Sequence, residues 1–240
     1  AIYNSLEPYP QNWFSYNTGA GINKNGDHVM YLSLHVCPTR YIPLENTIQY
    51  LDNIQLEISY EKPEIVSFES NIYDLAIITP SEFSENLIPL VDHKNNFSVQ
   101  TNLTTVEYIN DTFPGRDTAE KIKYFIKYAI EEWGISYVLL IGDINKLPIR
   151  VAYSIPWADD LLTDLYYADI YNETFDFCSW DANDNDRFGE GEFESGFPPK
   201  MNNIDEVDLY PDVYIGRLPC TYEEEVDIVV DKIITYEYMT

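Results

Sequence analysis

The chain has 240 residues, 45% of them apolar, which is enough to bury a sizeable core in one large domain or in one domain with a smaller module. The formal net charge of −27 repels phosphate backbones and anionic membranes, so it excludes nucleic acid as a partner and favours cations. No apolar run reaches the roughly 20 residues that span a bilayer, so we expect no membrane-spanning segment.

Residues 1–70 are predicted to form a β-rich segment. His28–Val36 alternates apolar and polar side chains, and Ile54–Tyr60 does so with a period of two, which is typical of strands. Pro38 and Pro43 break the chain between these runs, and a short strand is expected at Thr47–Tyr50. The segment has the pattern of the end of a β-sandwich and leads into a linker over its last ten residues.

Residues 71–240 alternate short apolar runs with helical patterns. We expect four strands, at Tyr73–Thr79, Ser98–Val106, Tyr137–Ile141 and Asp212–Arg217. We expect three helices, from Ser81 as the N-cap to about Asn95, over 117–133, and at about Tyr222–Tyr238. Asp117 or Thr118 is the expected cap of the second helix, and Gly134 is expected to close it. Strands that alternate with helices predict an α/β subdomain, with a parallel sheet flanked by helices on both faces.

A long acidic insertion at about 150–210 interrupts this alternation, and WDANDNDRFGEGE at 180–192 is its most acidic part. When the stretch is numbered from Asp181, oxygen-bearing side chains fall at positions 1, 3, 5 and 12, and position 7 offers a backbone carbonyl. This spacing is typical of a calcium-binding loop. The predicted ligands are Asp181, Asn183, Asn185, the carbonyl of Arg187, and Glu192 with Glu190 as its rival.

Two features depart from the usual calcium loop. Position 6 holds Asp186, where the tight turn favours glycine, and the flanking residues do not have helical patterns. A solvated acidic turn is the alternative interpretation of the stretch.

The cysteines and histidines carry no catalytic motif. They are Cys37, Cys178, Cys220, His28, His35 and His93, and the cysteines form no CxxC pair, although one disulfide among them stays open. Cys220 follows a predicted strand, where ligands often bind, but no motif links a histidine to it. We therefore expect a structural thiol there, and assign neither catalytic nor cofactor-binding residues.

A combination of stretches from about Ile72 to Glu237 indicates a family. They include IYDLAIITPSEF, GRDTAEKIKYFIKYAIEEWGISYVLLIGDINKLPIR and DLYPDVYIGRLPC. Together they resemble the gingipain-type cysteine peptidases, whose domain is caspase-like, and residues 28–60 look like the end of the β-sandwich propeptide of that family. The resemblance implies a secreted, calcium-stabilised cysteine endopeptidase with a His–Cys dyad. The two motifs that carry the dyad, a Gly-His-Gly turn and a later strand-end cysteine, do not occur in this chain.

The resemblance implies that the chain is the amino-terminal part of such an endopeptidase, inactive alone, with the dyad beyond residue 240. The implied partners are the missing catalytic half of the same protein and a protein or peptide substrate, at an extracellular or cell-surface location. Four sequons, at Asn96, Asn102, Asn110 and Asn172, favour that location only weakly.

Two other functions stay open. The chain is alternatively a non-enzymatic extracellular surface or assembly protein that keeps the scaffold without the chemistry. A third interpretation is a calcium-dependent binding module that stacks aromatic side chains of the insertion on sugars or peptide, for which the candidates are Tyr153, Trp157, Tyr166, Tyr167 and Tyr171. Packing of these aromatics onto the sheet is the favoured explanation of their abundance.

Overall fold

A computed structural model describes residues 2–60, 72–153, 161–194 and 200–239. The N-terminal part begins with a short 3-10 turn at Ile2–Asn4 and then forms two antiparallel hairpins. Their strands are β1 (Phe14–Ile22), β2 (His28–Val36), β3 (Thr39–Ile42) and β4 (Thr47–Tyr50). The predicted strands at 28–36 and 47–50 are therefore confirmed, whereas the predicted linker lies wholly outside the described residues.

The predicted strand at Ile54–Tyr60 is wrong. These residues make no strand pairing with the part of the chain that the structure describes, and apolar side chains such as Ile54, Leu56 and Ile58 are exposed. Alternation identifies the two faces that a strand would have, but a strand also needs a neighbour to pair with.

From residue 72 onward the elements follow the expected alternation, with two small antiparallel pairs inserted. In chain order they are β5 (Leu75–Thr79), a 3-10 turn (Ser81–Phe83), α1 (Ser84–Asn96), β6 (Thr101–Thr105), α2 (Val106–Thr112), α3 (Thr118–Tyr128) with a π-helical end (Ala129–Trp133), β7 (Tyr137–Ile141), β8 (Arg150–Ala152), β9 (Leu161–Thr163), a 3-10 turn (Leu165–Tyr167), β10 (Gly191–Glu194), β11 (Lys200–Asn203), β12 (Tyr214–Leu218) and α4 (Glu223–Met239).

The central sheet is parallel, as predicted. Its strand order is β12-β7-β5-β6, and every neighbouring pair runs in the same direction. Since the chain forms β5 first, then β6 on one side and β7 on the other, the order reverses between β5 and β7. That reversal is the topological switch point of a doubly wound sheet, where ligands commonly bind beyond the carboxyl ends of the strands.

Helices cover both faces of the sheet, because alternate residues of the buried strand β5 point to opposite layers. Leu75 and Ile77 belong to the core under α1 and α4. Ala76 and Ile78 belong to the larger core under α3. The fold class is therefore the predicted α/β arrangement with an N-terminal β-rich segment.

The ends of two helices test the predicted caps. Asp117 accepts the N–H of Glu120 at 2.8 Å and caps α3, and Gly134 closes that helix in the left-handed conformation, with φ of 74°. The expected cap at Ser81 is wrong, because its hydroxyl donates to Glu107 at 3.0 Å instead. The sequence therefore located both helices but only one of the two caps.

Candidate functional site

The predicted calcium loop is a tight, strained turn. Its ends meet where the N–H of Gly189 donates to the carbonyl of Trp180 at 2.7 Å. Asp186, at the position where glycine is usual, adopts the left-handed conformation with φ of 61°. Asp186 therefore adopts the left-handed backbone conformation that glycine usually provides at this position of a calcium loop.

Asp181, the first predicted ligand, is already occupied by hydrogen-bond donors. Its side chain belongs to a residue only 2% exposed, and it accepts the N–H groups of Asn185 at 2.9 Å and Asp186 at 3.1 Å and a short hydrogen bond from the Arg116 guanidinium. Burial alone would raise the pKa of Asp181, but the hydrogen bonds from Arg116 and the two amides outweigh it and hold the pKa below its ordinary value. Arg116 is thus a protein cation at the site where the sequence predicts a metal.

The other predicted ligands lie together but mostly satisfy one another. The side-chain nitrogens of Asn183 and Asn185 face Glu190 at 3.5 and 2.6 Å, and the Asn185 oxygen accepts the N–H of Arg187 at 2.9 Å. The side chain of Glu192 lies outside what the structure describes. Within the described residues no group of three or more acids, thiols or imidazoles is placed to hold a metal ion. The described side chains of the loop do not form a calcium cage in this conformation, and calcium binding stays a prediction.

Asp205 ties the loop to the body, and the sequence did not identify it. Its carboxylate accepts the N–H groups of Ala182 at 3.0 Å and Glu190 at 2.6 Å, although burial raises its pKa. Neither Asp205 nor Arg116 belongs to the calcium-loop pattern, and no local spacing links either residue to Asp181.

Arg150 anchors the start of the insertion to α3. It donates two hydrogen bonds to Asp117, at 2.8 and 3.0 Å, and lies over the ring of Phe188 at 3.8 Å. A forked guanidinium is suited to both roles, because it binds a carboxylate with two bonds and stacks on an aromatic face.

Arg217 anchors the segment that follows β7. It donates two bonds of 2.7 Å to Asp164, and further bonds to the carbonyls of Gly142, Leu147 and Pro148 at 2.9, 2.9 and 3.2 Å. These carbonyls belong to the loop at the carboxyl edge of the sheet, so Arg217 fixes the edge where the switch point lies.

A buried charged cluster lies beneath the insertion. Lys123 on α3 is fully buried, and its Nζ lies over the rings of Tyr166 at 4.4 Å, Trp180 at 5.5 Å and Phe177 at 5.6 Å. Burial lowers the pKa of Lys123, against the attraction of Cys178, Asp169 and Asp212. Lys123 lies on the apolar face of the helix predicted at 117–133, and this was the sequence signal for the cluster. The helical pattern alone did not reveal the other members of the cluster.

Asp212 is the best-defined acid of that cluster. It is fully buried, and its Oδ2 accepts the N–H groups of Ile170 at 2.7 Å and Tyr171 at 2.9 Å. Burial raises its pKa to about 8 in spite of those two bonds. Burial therefore favours the neutral form of the Asp212 carboxyl.

The aromatic residues of the insertion mostly serve packing. Tyr166, Tyr167 and Tyr171 are buried in the core under α3, as the packing explanation expects. Trp157 lies outside the described residues. A binding surface built from this set therefore loses three of its five members.

The surroundings of Cys220 agree with the structural, non-catalytic thiol that the sequence predicted. All three cysteines are free thiols, and Cys220 is buried in the core under α1 and α4, where burial raises its pKa. In the described ranges no histidine lies within hydrogen-bond distance of Cys220; His93 instead contacts Glu237 at 2.9 Å. Cys220 thus has neither the base nor the low pKa of a catalytic thiol.

Residues 68–240 match peptidase family C25. Over 165 residues the chain is 24% identical to gingipain R2 of Porphyromonas gingivalis W83 and 23% identical to gingipain R1 of the same species. Each alignment takes in 68% of this chain but only 16% and 12% of the respective relative. The chain therefore spans less than a fifth of the length of these curated relatives.

Two solved structures show limited similarity to this chain. The Arg specific cysteine proteinase gingipain R has a TM-score of 0.46 and 23% identity, over 70% of this chain and 29% of that chain. The dimeric latent PorU from P. gingivalis has a TM-score of 0.49 and 18% identity, over 68% of this chain and 15% of that chain.

Proposed function

The chain belongs to peptidase family C25, the gingipain-type cysteine peptidases, and we propose that it is the amino-terminal part of a secreted cysteine endopeptidase whose His–Cys dyad lies beyond residue 240. The family match over 68–240 is the observation that carries the proposal. In the complete protein a thiolate attacks the peptide carbonyl and a histidine transfers the proton. In the described part of the chain no helix has the length and apolar character needed to cross a membrane.

The sheet has an edge that suits the missing catalytic half as a partner. All five residues of β5 are buried, whereas Tyr214 and Gly216 of β12 are exposed, and β12 pairs only with β7 among the described strands. An edge strand presents unpaired backbone groups that another strand can complete. We infer that the catalytic half extends the sheet beside β12.

The carboxyl edge of the sheet is the proposed position of the peptide substrate. Thr79 and Asp143 flank the switch point between β5 and β7, the usual ligand-binding place in such sheets. Asp143 orders the loop there by accepting the N–H of Asn145 at 2.9 Å and the hydroxyl of Thr221 at 3.2 Å. This chain therefore contributes shape to the site, and the dyad supplies the chemistry.

Peptide hydrolysis by the product of the complete gene tests the proposal. We expect that product to cleave peptides and to lose at least about a hundredfold of its rate after thiol alkylation, because the thiolate is the nucleophile. The isolated 240 residues should be inactive under the same conditions. A complete, folded product that cleaves nothing, but self-associates stably, would instead support the non-enzymatic surface or assembly protein.

Calcium binding at 181–192 is a separate prediction. Titrating calcium into protein from which a chelator has removed metal ions tests it. Millimolar calcium should raise the melting temperature, because a ligand that binds only the folded state stabilises it. The shift should be larger in Arg116→Gln, since the guanidinium no longer occupies Asp181. If neither protein shifts, the prediction is wrong and the loop is an arginine-anchored acidic turn.

A further inference from the structure

The N-terminal hairpin, β1 with β2, meets the subdomain at the amino edge of the central sheet. The hydroxyl of Tyr214, the first residue of β12, donates to the carbonyl of Asn23 at 3.2 Å. Ser136, which precedes β7, has its Oγ 3.3 Å from the position that a Cβ on Gly26 would occupy. Both contacts lie where the parallel strands begin.

Strand β1 is shaped to lie directly on residues 210–211. A Cβ on Gly19 would come within 2.1 Å of the Tyr210 ring, and one on Gly21 within 2.9 Å of the Pro211 carbonyl oxygen. The N–H of Ile22 donates to that same oxygen at 2.8 Å. The two glycines therefore permit a close approach that larger residues would prevent.

The same strand holds both arms of the insertion. Ala20 is fully buried in the core under α3, and its N–H donates to Asp208 at 2.7 Å. The hydroxyl of Thr18 donates to Glu173 at 2.7 Å, on the other arm. A cleft of about 850 Å³ remains between the hairpin and these two arms. The hairpin thus contributes to the core and orders the insertion.

The opposite edge of the sheet stays clear of the hairpin. Each sheet strand has five residues, so its two ends lie roughly 13 Å apart at about 3.3 Å per residue. Hydrogen bonds join the hairpin to Glu173, Asp208, Pro211 and Tyr214 of the subdomain, none of which is at the carboxyl end of a sheet strand.

We propose that the β1–β2 hairpin is a permanent strut that holds the insertion against the amino edge of the sheet and leaves the carboxyl edge open. Removal of the hairpin should therefore not uncover the carboxyl edge. The significance of the carboxyl edge rests on the proposed function, whereas the docking of the hairpin does not.

Cutting the folded chain tests the docking. A protease recognition sequence replaces residues 63–68, the full chain is cut after folding, and the products are separated by gel filtration. We expect the hairpin fragment to co-elute with residues 70–240. Rapid separation of the wild-type fragments would overturn the proposal.

Two matched variants on β1 show whether the observed face carries the association. Gly21→Val favours a strand but collides with the backbone at Pro211, so the fragment should dissociate at least about tenfold faster. Ser15→Val adds the same side chain at an exposed position of the same strand and should dissociate as the wild type does. Equal dissociation of the two variants would contradict the assigned face.

The same cut in the product of the complete gene distinguishes a hairpin that only supports the fold, the strut, from one that blocks the carboxyl edge. Peptide hydrolysis should not rise after the cut. A rise of several-fold would overturn the strut and leave the proposed peptidase intact. No hydrolysis before or after the cut would contradict the peptidase, and co-elution would then decide the strut alone.

Discussion

Arg217→Met should lower the free energy of unfolding by about 3–5 kcal/mol, because it removes a largely buried charge and leaves its partners unsatisfied. The side chain of Arg217 is 10% exposed, and that of Asp164 is 22% exposed. The carbonyls of Gly142, Leu147 and Pro148 lose their donor as well. Thermal unfolding should show a melting temperature roughly 10 °C lower, at the 2–4 °C per kcal/mol expected for a protein of this size.

Arg187→Met is the matched control for that substitution. Arg187 also pairs with a carboxylate, Glu190, at 3.1 Å, but its side chain is 54% exposed. Exposed pairs contribute about 0–1 kcal/mol, so the control should melt close to the wild type. A loss in Arg217→Met as small as that in Arg187→Met would show that Arg217 contributes no more than an exposed charge.

Asp212→Asn should raise the melting temperature at pH 8 and make it less dependent on pH. The folded-state pKa of Asp212 is raised to about 8 from an ordinary 3.8, chiefly by burial. A raised pKa gives stability that is complete below about pH 4 and is lost as the pH rises towards 8, at about 1.4 kcal/mol per unit. Asparagine carries no charge, and its oxygen can still accept the N–H groups of Ile170 and Tyr171.

Melting curves from pH 5 to pH 8 give the measurement for Asp212→Asn. The gain over the wild type should be small at pH 5, about one unit above the ordinary pKa of 3.8, and should grow by about 1.4 kcal/mol per pH unit towards pH 8. Asp181→Asn is the contrasting control: the pKa of Asp181 is lowered below its ordinary 3.8, so its contribution is fully present throughout this pH range and this variant should lose a constant amount of stability from pH 5 to pH 8. A variant at Asp212 that is less stable than the wild type at pH 8 would contradict the raised pKa.

The sequence predicted the sheet and α3 because local patterns determine both. Runs such as Tyr137–Ile141 are apolar on both faces, which only a strand covered by helices on both sides requires. Helix α3 combines apolar spacing with a cap at Asp117 and a closing glycine at 134. These signals lie within single elements and need no knowledge of distant contacts.

The missed features all depend on distant partners. Strand β1 contains Gly19 and Gly21, which weaken a strand locally and are explained only by the approach of Tyr210 and Pro211. Conversely, Ile54–Tyr60 has the pattern of a strand without a neighbour in the described residues. Strand pairing across many residues is not encoded in local alternation.

The candidate site shows the same limit. The spacing from Asp181 to Glu192 predicted a calcium-binding loop, and the structure shows a compact turn there, yet Arg116 and Asp205 hold it through bonds to residues 65 and 23 positions away along the chain. In a chain with 41 acids and 14 lysines and arginines, each buried arginine has many candidate partners. Sequence spacing cannot select among them.

Irreversible thiol labelling of the product of the complete gene, followed by peptide mass mapping, tests the central claim most directly. The claim predicts that loss of peptidase activity follows labelling of one cysteine outside residues 1–240, with Cys178 and Cys220 unlabelled because both are buried. Loss of activity that follows labelling of Cys220 would contradict it, because the reacting thiol would then belong to this chain.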